Sequence, residues 1–471
     1  MSSSNRKLLE NLSFQSIAEF AGKGLQAIYY LYFANVIGVE GNGIYGYAMS
    51  IVVFFILIVE FGIDIYGMRS IAKDSNNVKK YVDHIFSLRL FLAFCSYSLL
   101  AIFAFFFIEK EIVRYALLIL GFNIFSSAML LNWVFQGIER MGIVAVRQVM
   151  VSLLTVILIF IFVHDSNDTL LALSIISFSL FINSLIMVIY YINKIGKIKL
   201  QFNKVRWKGI LNAAIPIGFY SVLIMIMNNI DLTLIGSLLT NFETESGIYN
   251  AAFRIAIFAL VPSIVIQNSF FPQLSRSNTN EERIPLLNKY IKAIVVVGAL
   301  VGVITYVYSD FLITSLLSNE YLDSIELMQI FAFSIYVKFI NVALASTLVA
   351  WKLEKSVLYG TSFAVIFNIV IDLVLIPDHG AYGATIATIV AETTLMLVLA
   401  YRVYKETGQI VLKFAFAILP LALISMIPSY YYVNSATNNI LGIFVLVIIY
   451  TLVVNYSGFF NIFGIKKYLK K

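Results

Sequence analysis

Three basic residues lie inside long apolar stretches of this sequence, where a charge is normally avoided. They are Lys23, Arg254 and Lys338. A cation near the centre of a bilayer costs about 2.5–3.5 kcal/mol on insertion scales, so it usually faces water or a partner group. Arginine presents a planar fork and lysine a mobile point charge, and both bind phosphate oxygens. We therefore predict that the three side chains contact an anion such as a phosphate or pyrophosphate.

Internal salt bridges are the alternative explanation for these cations. Glu19 and Lys23 have the i,i+4 spacing of neighbours on one helix face. No acidic residue lies three or four positions from Arg254 or Lys338. Local spacing therefore favours ligand contact for Arg254 and Lys338, and leaves both interpretations open for Lys23.

A second group of polar residues falls in the later apolar stretches. Asn368 and Asp372 are one helical turn apart, and Asp231 and Thr388 lie at a comparable estimated depth. Carboxylate, amide and hydroxyl oxygens suit a hard cation. Sodium is our preferred interpretation and a proton is the alternative. Hydrogen bonding between helices, without any ion, explains the same residues equally well.

Residues suited to enzymatic chemistry are few. His84, His164 and His379 fall in predicted loops without an i,i+4 partner, and we expect them to be solvated. Cys95 is the single cysteine, which excludes an intrachain disulfide and a cysteine metal site. The sequence has no phosphate-binding P-loop motif. We predict that the protein is not an enzyme and needs no cofactor beyond a coupling ion, sodium or a proton.

The composition predicts an all-α polytopic membrane protein. The chain of 471 residues is 60% hydrophobic and 13% charged, whereas soluble domains carry about 25% charged residues. A helix needs about 20 apolar residues to cross the hydrocarbon. The predicted spans, fourteen in all, are 11–36, 44–65, 85–108, 113–135, 143–163, 169–192, 210–237, 247–271, 288–308, 325–349, 357–376, 380–402, 411–432 and 438–458.

The distribution of basic residues predicts the orientation. Twenty-eight of the 33 Lys and Arg residues, Arg89 and Arg147 among them, fall in predicted loops on one side or in the C-terminal tail. One of these loops, Lys194–Lys208, is expected to lie along the inner membrane surface with its lysines toward anionic headgroups, and a solvated linker is the alternative. By the positive-inside rule both termini are then cytoplasmic. The net charge of +7 follows from this asymmetry, so we expect no nucleic-acid partner. The first apolar stretch lacks a signal-peptide cleavage site and is expected to remain as the first span.

A weak internal repeat predicts two similar lobes. Gly43-Ile44-Tyr45 opens the second span and Gly247-Ile248-Tyr249 opens the eighth, each after a short acidic loop. We therefore predict two six-helix lobes around a central cavity, residues 1–205 and 206–410, with two extra helices and a basic tail in 411–471. Parallel repeats of this kind suit a transporter that rocks two bundles around a central site.

The chain resembles the polysaccharide repeat-unit flippases, the O-antigen and exopolysaccharide translocases of the multidrug/oligosaccharidyl-lipid/polysaccharide exporter superfamily. The resemblance covers most of the chain and rests on Lys23 and on the runs 60–64, 135–140, 229–236 and 247–254. It implies transport of undecaprenyl-pyrophosphate-linked oligosaccharide to the external leaflet of the bacterial inner membrane by alternating access. An ion gradient or the membrane potential would drive this movement. Partners beyond the lipid bilayer could include a polysaccharide polymerase and chain-length proteins.

Site residues follow from the same resemblance. Carried over, Lys23, Arg254 and Lys338 would meet the pyrophosphate, with Glu19 and Asp64 among the substrate-binding residues. Related peptidoglycan-precursor flippases have a sodium site. The matching ligands in this chain would be Asp231, Asn368, Asp372, Thr388 and the backbone carbonyl near Ala384.

Two other functions remain possible from the sequence. A drug/cation antiporter of the same superfamily would favour an acidic or aromatic cavity, whereas this chain carries lysine and arginine at mid-depth. A membrane glycosyltransferase or polymerase would need a large external loop, and the longest predicted one, 309–324, is short.

Overall fold

The structure is a computed structural model, and it describes the backbone of residues 3–430 and 436–457. Side chains are described for residues 21–22, 24–427, 439–455 and 457. In these ranges the regular structure is helical and contains no strand. The α-helices are α1 Ser3–Glu60, α2 Ile63–Lys73, α3 Val78–Phe107, α4 Glu111–Gly121, α5 Asn123–Met129, α6 Asn132–Gly137, α7 Met141–Phe162, α8 Thr169–Lys194, α9 Lys204–Leu238, α10 Phe242–Ala259, α11 Val261–Arg276, α12 Asn280–Val307, α13 Ser309–Leu316, α14 Ser324–Ala350, α15 Glu354–Thr407, α16 Leu412–Tyr430 and α17 Ala436–Tyr456.

The predicted polytopic all-α fold is confirmed. In the described part of the chain, ten segments are long and apolar enough to cross a membrane. Two of them, Gly24–Lys73 and Glu354–Thr407, each cover two predicted spans, and two shorter apolar helices correspond to the last two. The protein is therefore a multi-pass membrane protein, and every predicted span has a helical counterpart.

Glycines divide the two longest helices. Gly38 in α1 has φ 74° and Gly380 in α15 has φ 53°, a left-handed conformation that a side chain would strain. After the second kink, the Ala381 N–H donates to the carboxylate of Glu245 at 2.8 Å, which ties α10 to the start of the new helical segment. Each kink separates two predicted spans, 11–36 from 44–65 and 357–376 from 380–402.

Three predicted spans are interrupted rather than continuous. The span predicted at 44–65 is divided between α1 and α2, that at 113–135 into α4, α5 and α6, and that at 247–271 into α10 and α11. In the last case Pro262 lies at the beginning of α11, where its missing N–H is tolerated. Hydropathy detects the apolar run but does not detect a helix break whose free backbone groups bond to polar groups elsewhere in the chain.

The chain forms two compact units, residues 1–233 and 234–471. The first unit includes most of α9, because α9 packs closely on the end of α1. Gly62 has φ 72°, and a Cβ there would lie 2.6 Å from the Ala214 carbonyl. A Cβ on Gly218 would lie 2.7 Å from the Phe61 ring. This division reflects packing, whereas the predicted lobes 1–205, 206–410 and 411–471 reflect an internal repeat and remain a prediction.

The connection before α9 lies along α3. The Lys199 N–H donates to the Asp83 carboxylate at 2.8 Å, and the Gln201 N–H donates to the Ser87 hydroxyl at 2.8 Å. Trp207 at the start of α9 packs 5.3 Å from the ring of Phe91. Two buried polar side chains of α3 thus hold the segment that was predicted to follow the inner membrane surface.

Candidate functional site

Lys338 and Glu392 form an ion pair between α14 and α15. The Lys338 Nζ lies 3.4 Å from Glu392 Oε1, and the two side chains are 16% and 8% exposed. Asn341, one turn further along α14, donates its amide to Glu392 Oε2 at 2.7 Å and to the Glu392 carbonyl at 2.9 Å. The glutamate therefore has a close hydrogen-bond partner that is independent of the lysine.

The geometry of this pair is loose on the lysine side. Charge-assisted N–H to carboxylate bonds are about 2.7–2.9 Å long, so the 3.4 Å separation is an electrostatic contact without a close hydrogen bond. Lys338 Nζ also lies 5.5 Å from the centre of the Phe253 ring on α10, within cation–π range. A carboxylate and an aromatic ring together stabilise the cation without binding it tightly.

Aromatic residues surround this contact in the second unit. Phe253 stacks on Tyr249 with ring centres 5.7 Å apart, and both rings contact Phe331, at 6.0 Å and 5.6 Å. The Tyr249 hydroxyl lies 3.3 Å from the Thr388 hydroxyl on α15. A continuous series of contacts therefore runs from Thr388 through Tyr249 and Phe253 to Lys338.

Arg254 follows Phe253 in α10 and is half-buried. Its Nε lies 3.4 Å from the amide oxygen of Asn250, one turn earlier. The structure thus brings two of the three predicted anion-binding cations, Arg254 and Lys338, into one unit on neighbouring helices. The side chains of Lys23 and Glu19 lie outside the described residues, so their predicted roles stay predictions.

Four of the five predicted cation ligands lie on α15: the side chains of Asn368, Asp372 and Thr388 and the Ala384 carbonyl. Asn368 donates its amide to Asp372 at 3.0 Å, and both side chains are fully buried. The Thr388 hydroxyl donates to the Ala384 carbonyl at 3.2 Å. These bonds orient a carboxylate, an amide and a hydroxyl whose oxygens have the hardness that sodium prefers.

The fifth predicted ligand, Asp231, is buried on α9 and belongs to the first unit. Among the described side chains, no group of three or more His, Cys, Asp or Glu residues could hold a metal ion. The predicted sodium site is of a different kind, because it combines two carboxylates with an amide and a hydroxyl. Sodium binding therefore remains a prediction.

Asp64, predicted to bind substrate, is engaged in the first unit by Arg89 of α3. Arg89 is fully buried, and its second terminal nitrogen donates to the Ser127 carbonyl at 2.6 Å. The Leu130 carbonyl is 3.3 Å from the first terminal nitrogen. Ser127 and Leu130 lie where α5 ends. The Ser127 carbonyl also accepts the Leu130 N–H at 3.0 Å, so Arg89 adds a second donor there and a donor to the Leu130 carbonyl at the helix end.

Glu60 completes this polar group in the first unit. It accepts a hydrogen bond of 2.7 Å from the Ser127 hydroxyl. The run 60–64, singled out in the sequence, therefore has two packing roles, because its acids bind the α3–α5 region while Phe61 and Gly62 fit against α9.

Three expectations about basic residues and histidine were wrong. Arg89 and Arg147 were counted among the loop cations, but both are buried within helices. Their positions inside the predicted spans 85–108 and 143–163 were the signal that could have identified them. His84 was expected to be solvated, yet it is buried and its Nε2 lies 2.7 Å from an Arg206 guanidinium nitrogen.

Known proteins of polysaccharide biosynthesis, O-antigen transport and lipid II flipping are similar to this chain in sequence or fold. A capsular polysaccharide biosynthesis protein of Staphylococcus aureus, CapF, is 24% identical over 58% of this chain and 69% of its own length. A putative O-antigen transporter of Shigella dysenteriae is 23% identical over 78% of this chain and 92% of its own. The solved structure of the lipid II flippase MurJ, in an inward closed conformation, superposes with a TM-score of 0.80 at 16% identity, covering 94% of this chain and 98% of that one.

At 16% identity the similarity to the lipid II flippase structure shows the fold alone. Family membership rests on the sequence itself. The family model described as polysaccharide biosynthesis protein matches residues 8–278, more than half of the chain. The chain therefore belongs to the polysaccharide biosynthesis protein family.

Proposed function

We propose that this protein is a flippase that moves undecaprenyl-pyrophosphate-linked oligosaccharides from the cytoplasmic to the external leaflet of the bacterial inner membrane. The observation that carries the proposal is the loosely held Lys338 in the membrane-spanning helices, with Arg254 on the neighbouring helix. A headgroup that carries phosphate needs such cations to offset its loss of water. The named relatives, an O-antigen transporter and a capsular polysaccharide biosynthesis protein, support the same substrate class.

Lys338 would alternate between two partners during transport. One partner is Glu392, which lies 3.4 Å from Lys338 in the structure, and the other would be the pyrophosphate of the substrate. Glu392 would keep its hydrogen bonds to Asn341 in both states, so releasing the lysine leaves no carboxylate without a partner. Arg254 would add a second, bidentate contact to the same group.

A sodium ion bound by Asp231, Asn368, Asp372, Thr388 and the Ala384 carbonyl would supply the driving force, with a proton as the alternative. The contacts from Thr388 through Tyr249 and Phe253 to Lys338 support coupling between the two sites. Binding of the ion would then change the position or order of the aromatic residues beside the lysine, and so its affinity for the anion.

The remaining features of the proposal follow from transport by alternating access. Both termini would be cytoplasmic, as the distribution of basic residues predicts. The protein would have no catalytic activity of its own. A polysaccharide polymerase and chain-length proteins would use the oligosaccharide after its release.

Reconstitution in liposomes tests this function. Purified protein is incorporated with a fluorescent undecaprenyl-pyrophosphate oligosaccharide, and movement is followed by quenching from the outside. We expect movement that an inward or outward sodium gradient accelerates, and no accumulation of a cationic dye under the same gradient. Dye transport without lipid movement would instead support the drug antiporter.

A further inference from the structure

The first unit contains a polar cavity of about 400 Å³ beside α3 and α9 and a smaller one of about 250 Å³. The smaller cavity lies among α1, α7, α8 and the α5–α6 connection. Because one water occupies about 30 Å³ of liquid, this space holds roughly eight waters or a ring of monosaccharide size. Its polar lining includes Gln26, Asn132, Arg147, Gln148, Ser152 and Asn183.

Among the described residues of this lining, Arg147 is the charged one. It lies six residues into α7, about 9 Å along the axis from the first residue of that helix. Its side chain is buried, with 5% of the residue exposed. One terminal nitrogen donates to the Asn183 amide oxygen on α8, which aligns the guanidinium with the cavity wall.

The charge of Arg147 has no acidic partner among the described side chains. Its Nε is buried without a hydrogen-bond partner, and the Asn132 side-chain oxygen, also in the lining, is likewise without one. A buried arginine normally has a carboxylate nearby, as Arg89 has in Asp64. Donor and acceptor capacity at this cavity therefore exceeds what the protein itself uses.

The uncharged lining has the chemistry of a sugar site. Amides and hydroxyls both donate and accept hydrogen bonds, as sugar hydroxyls do. Tyr29 adds an aromatic ring, and Leu130, Val151, Ile176 and Leu180 supply apolar surface for the carbon face of a ring. In the described part of this lining a single cation faces a larger number of amides and hydroxyls, which favours a sugar over a phosphate group.

We propose that this cavity binds one sugar residue of the transported glycan and that Arg147 selects a residue bearing a carboxylate. The inference rests on the proposed flippase function and specifies which substrates it takes. An acidic sugar would supply the carboxylate that Arg147 lacks, while its hydroxyls would bond to the amides of Gln148 and Asn183. A neutral sugar would fit the same space but leave the guanidinium unpaired.

Two synthetic substrates test the proposal: undecaprenyl-pyrophosphate disaccharides that differ only in ending with glucuronic acid or glucose. In proteoliposomes we expect the natural protein to move the acidic substrate about tenfold faster or more, the size expected for a hydrogen bond to a charged group. Arg147→Gln should abolish the preference, so that the acidic and neutral substrates move at similar rates. Arg140→Gln, which removes an exposed arginine just before α7, is the matched control and should preserve the preference.

Asn183→Asp keeps the proposal testable if Arg147→Gln folds poorly. It places a carboxylate beside Arg147 inside the protein and should abolish the acidic preference without destabilising the fold. Equal loss of both substrates in Arg147→Gln, or an intact preference in Asn183→Asp, would overturn the sugar site alone. Failure of the natural protein to move either disaccharide would overturn the flippase function as well, whereas movement of both at equal rates would leave that function standing.

Discussion

Two ion pairs, one in each unit, use charge in opposite ways. In the Asp64–Arg89 pair the Asp64 side chain is 36% exposed, but the arginine is fully buried and also binds the Ser127 and Leu130 carbonyls. Lys338 and Glu392 are 3.4 Å apart, and the lysine remains 16% exposed. The difference indicates that Arg89 holds helices together, whereas Lys338 is stabilised just enough to remain available to a ligand.

The two pairs also differ in the hydrogen-bond partners that remain if the basic residue leaves. Glu392 has Asn341 as a second donor, so it tolerates the departure of the lysine. Arg89, in contrast, also donates to the Ser127 and Leu130 carbonyls where α5 ends, so its loss affects the backbone as well as Asp64. Depth in the membrane alone therefore does not identify a cation that binds a ligand. The other hydrogen-bond partners of the acid paired with that cation must be considered as well.

Removing Arg89 should have the largest effect. Arg89→Ala leaves Asp64 and the Leu130 carbonyl without the guanidinium, and hydrogen bonds that involve a charged group contribute about 1.5–3 kcal/mol each. We expect a large fall in the thermal unfolding temperature in detergent and low abundance in membranes. The double variant Arg89→Met with Asp64→Leu should recover part of the loss, because both charges are then absent. Unchanged thermal stability of Arg89→Ala would contradict a structural role.

Changing Lys338 should lower transport and leave thermal stability nearly unchanged, whereas changing Arg89 should mainly lower stability. Lys338→Gln keeps a hydrogen-bond donor for Glu392 but removes the charge. We expect transport of a lipid-linked oligosaccharide to fall about tenfold or more, as for a lost charged contact, with the unfolding temperature nearly unchanged. Lys289→Gln, at an exposed lysine of α12, is the matched control. Equal rates for the two variants would argue against ligand contact by Lys338.

Asp372 sharpens the comparison by adding a buried acid with a proposed ionic ligand. Asp372→Asn keeps the size and a hydrogen-bonding group but removes the charge that would bind sodium. We expect acceleration by a sodium gradient to disappear while slow, gradient-independent movement persists. The rate should be measured at several sodium concentrations on both sides of the liposome. A sodium response equal to that of the natural protein would remove Asp372 from the ion site.

Tyr249→Phe should have the smallest effect. It removes the hydroxyl 3.3 Å from Thr388 while keeping the ring that stacks on Phe253. One neutral hydrogen bond contributes about 0.5–1.5 kcal/mol, so the sodium concentration for half-maximal transport should rise about two- to tenfold. The matched variant Tyr306→Phe changes an exposed tyrosine and should leave that concentration unaltered. No shift in Tyr249→Phe would show that this contact does not couple the sites.

The fold could be predicted from the sequence because hydropathy and length determine where helices cross a bilayer. The turns at Gly38 and Gly380 fell between predicted spans for the same reason. The breaks within α4–α6 and α10–α11 could not be predicted, because their stability depends on side chains of other helices. Arg89, which binds the carbonyls at one break, is far from them in the sequence.

The candidate site was predictable residue by residue but not as pairs. Lys338 was singled out as an anion-binding residue, but the i,i+4 rule finds only partners on one helix, and Glu392 is on another. Their contact joins α14 to α15 and requires the packing of those helices. Arg147 was missed because it was counted with the loop charges, although its predicted span contained it.

A charge exchange between Lys338 and Glu392 tests the central claim most directly. The double variant Lys338→Glu with Glu392→Lys restores opposite charges, and Asn341 can present its amide oxygen to the new lysine. If Lys338 serves the substrate, the double variant should regain the thermal stability that each single variant loses, while transport of the lipid-linked oligosaccharide stays at least about tenfold reduced. Recovery of transport together with stability would show that the pair only holds the helices, and would contradict the account.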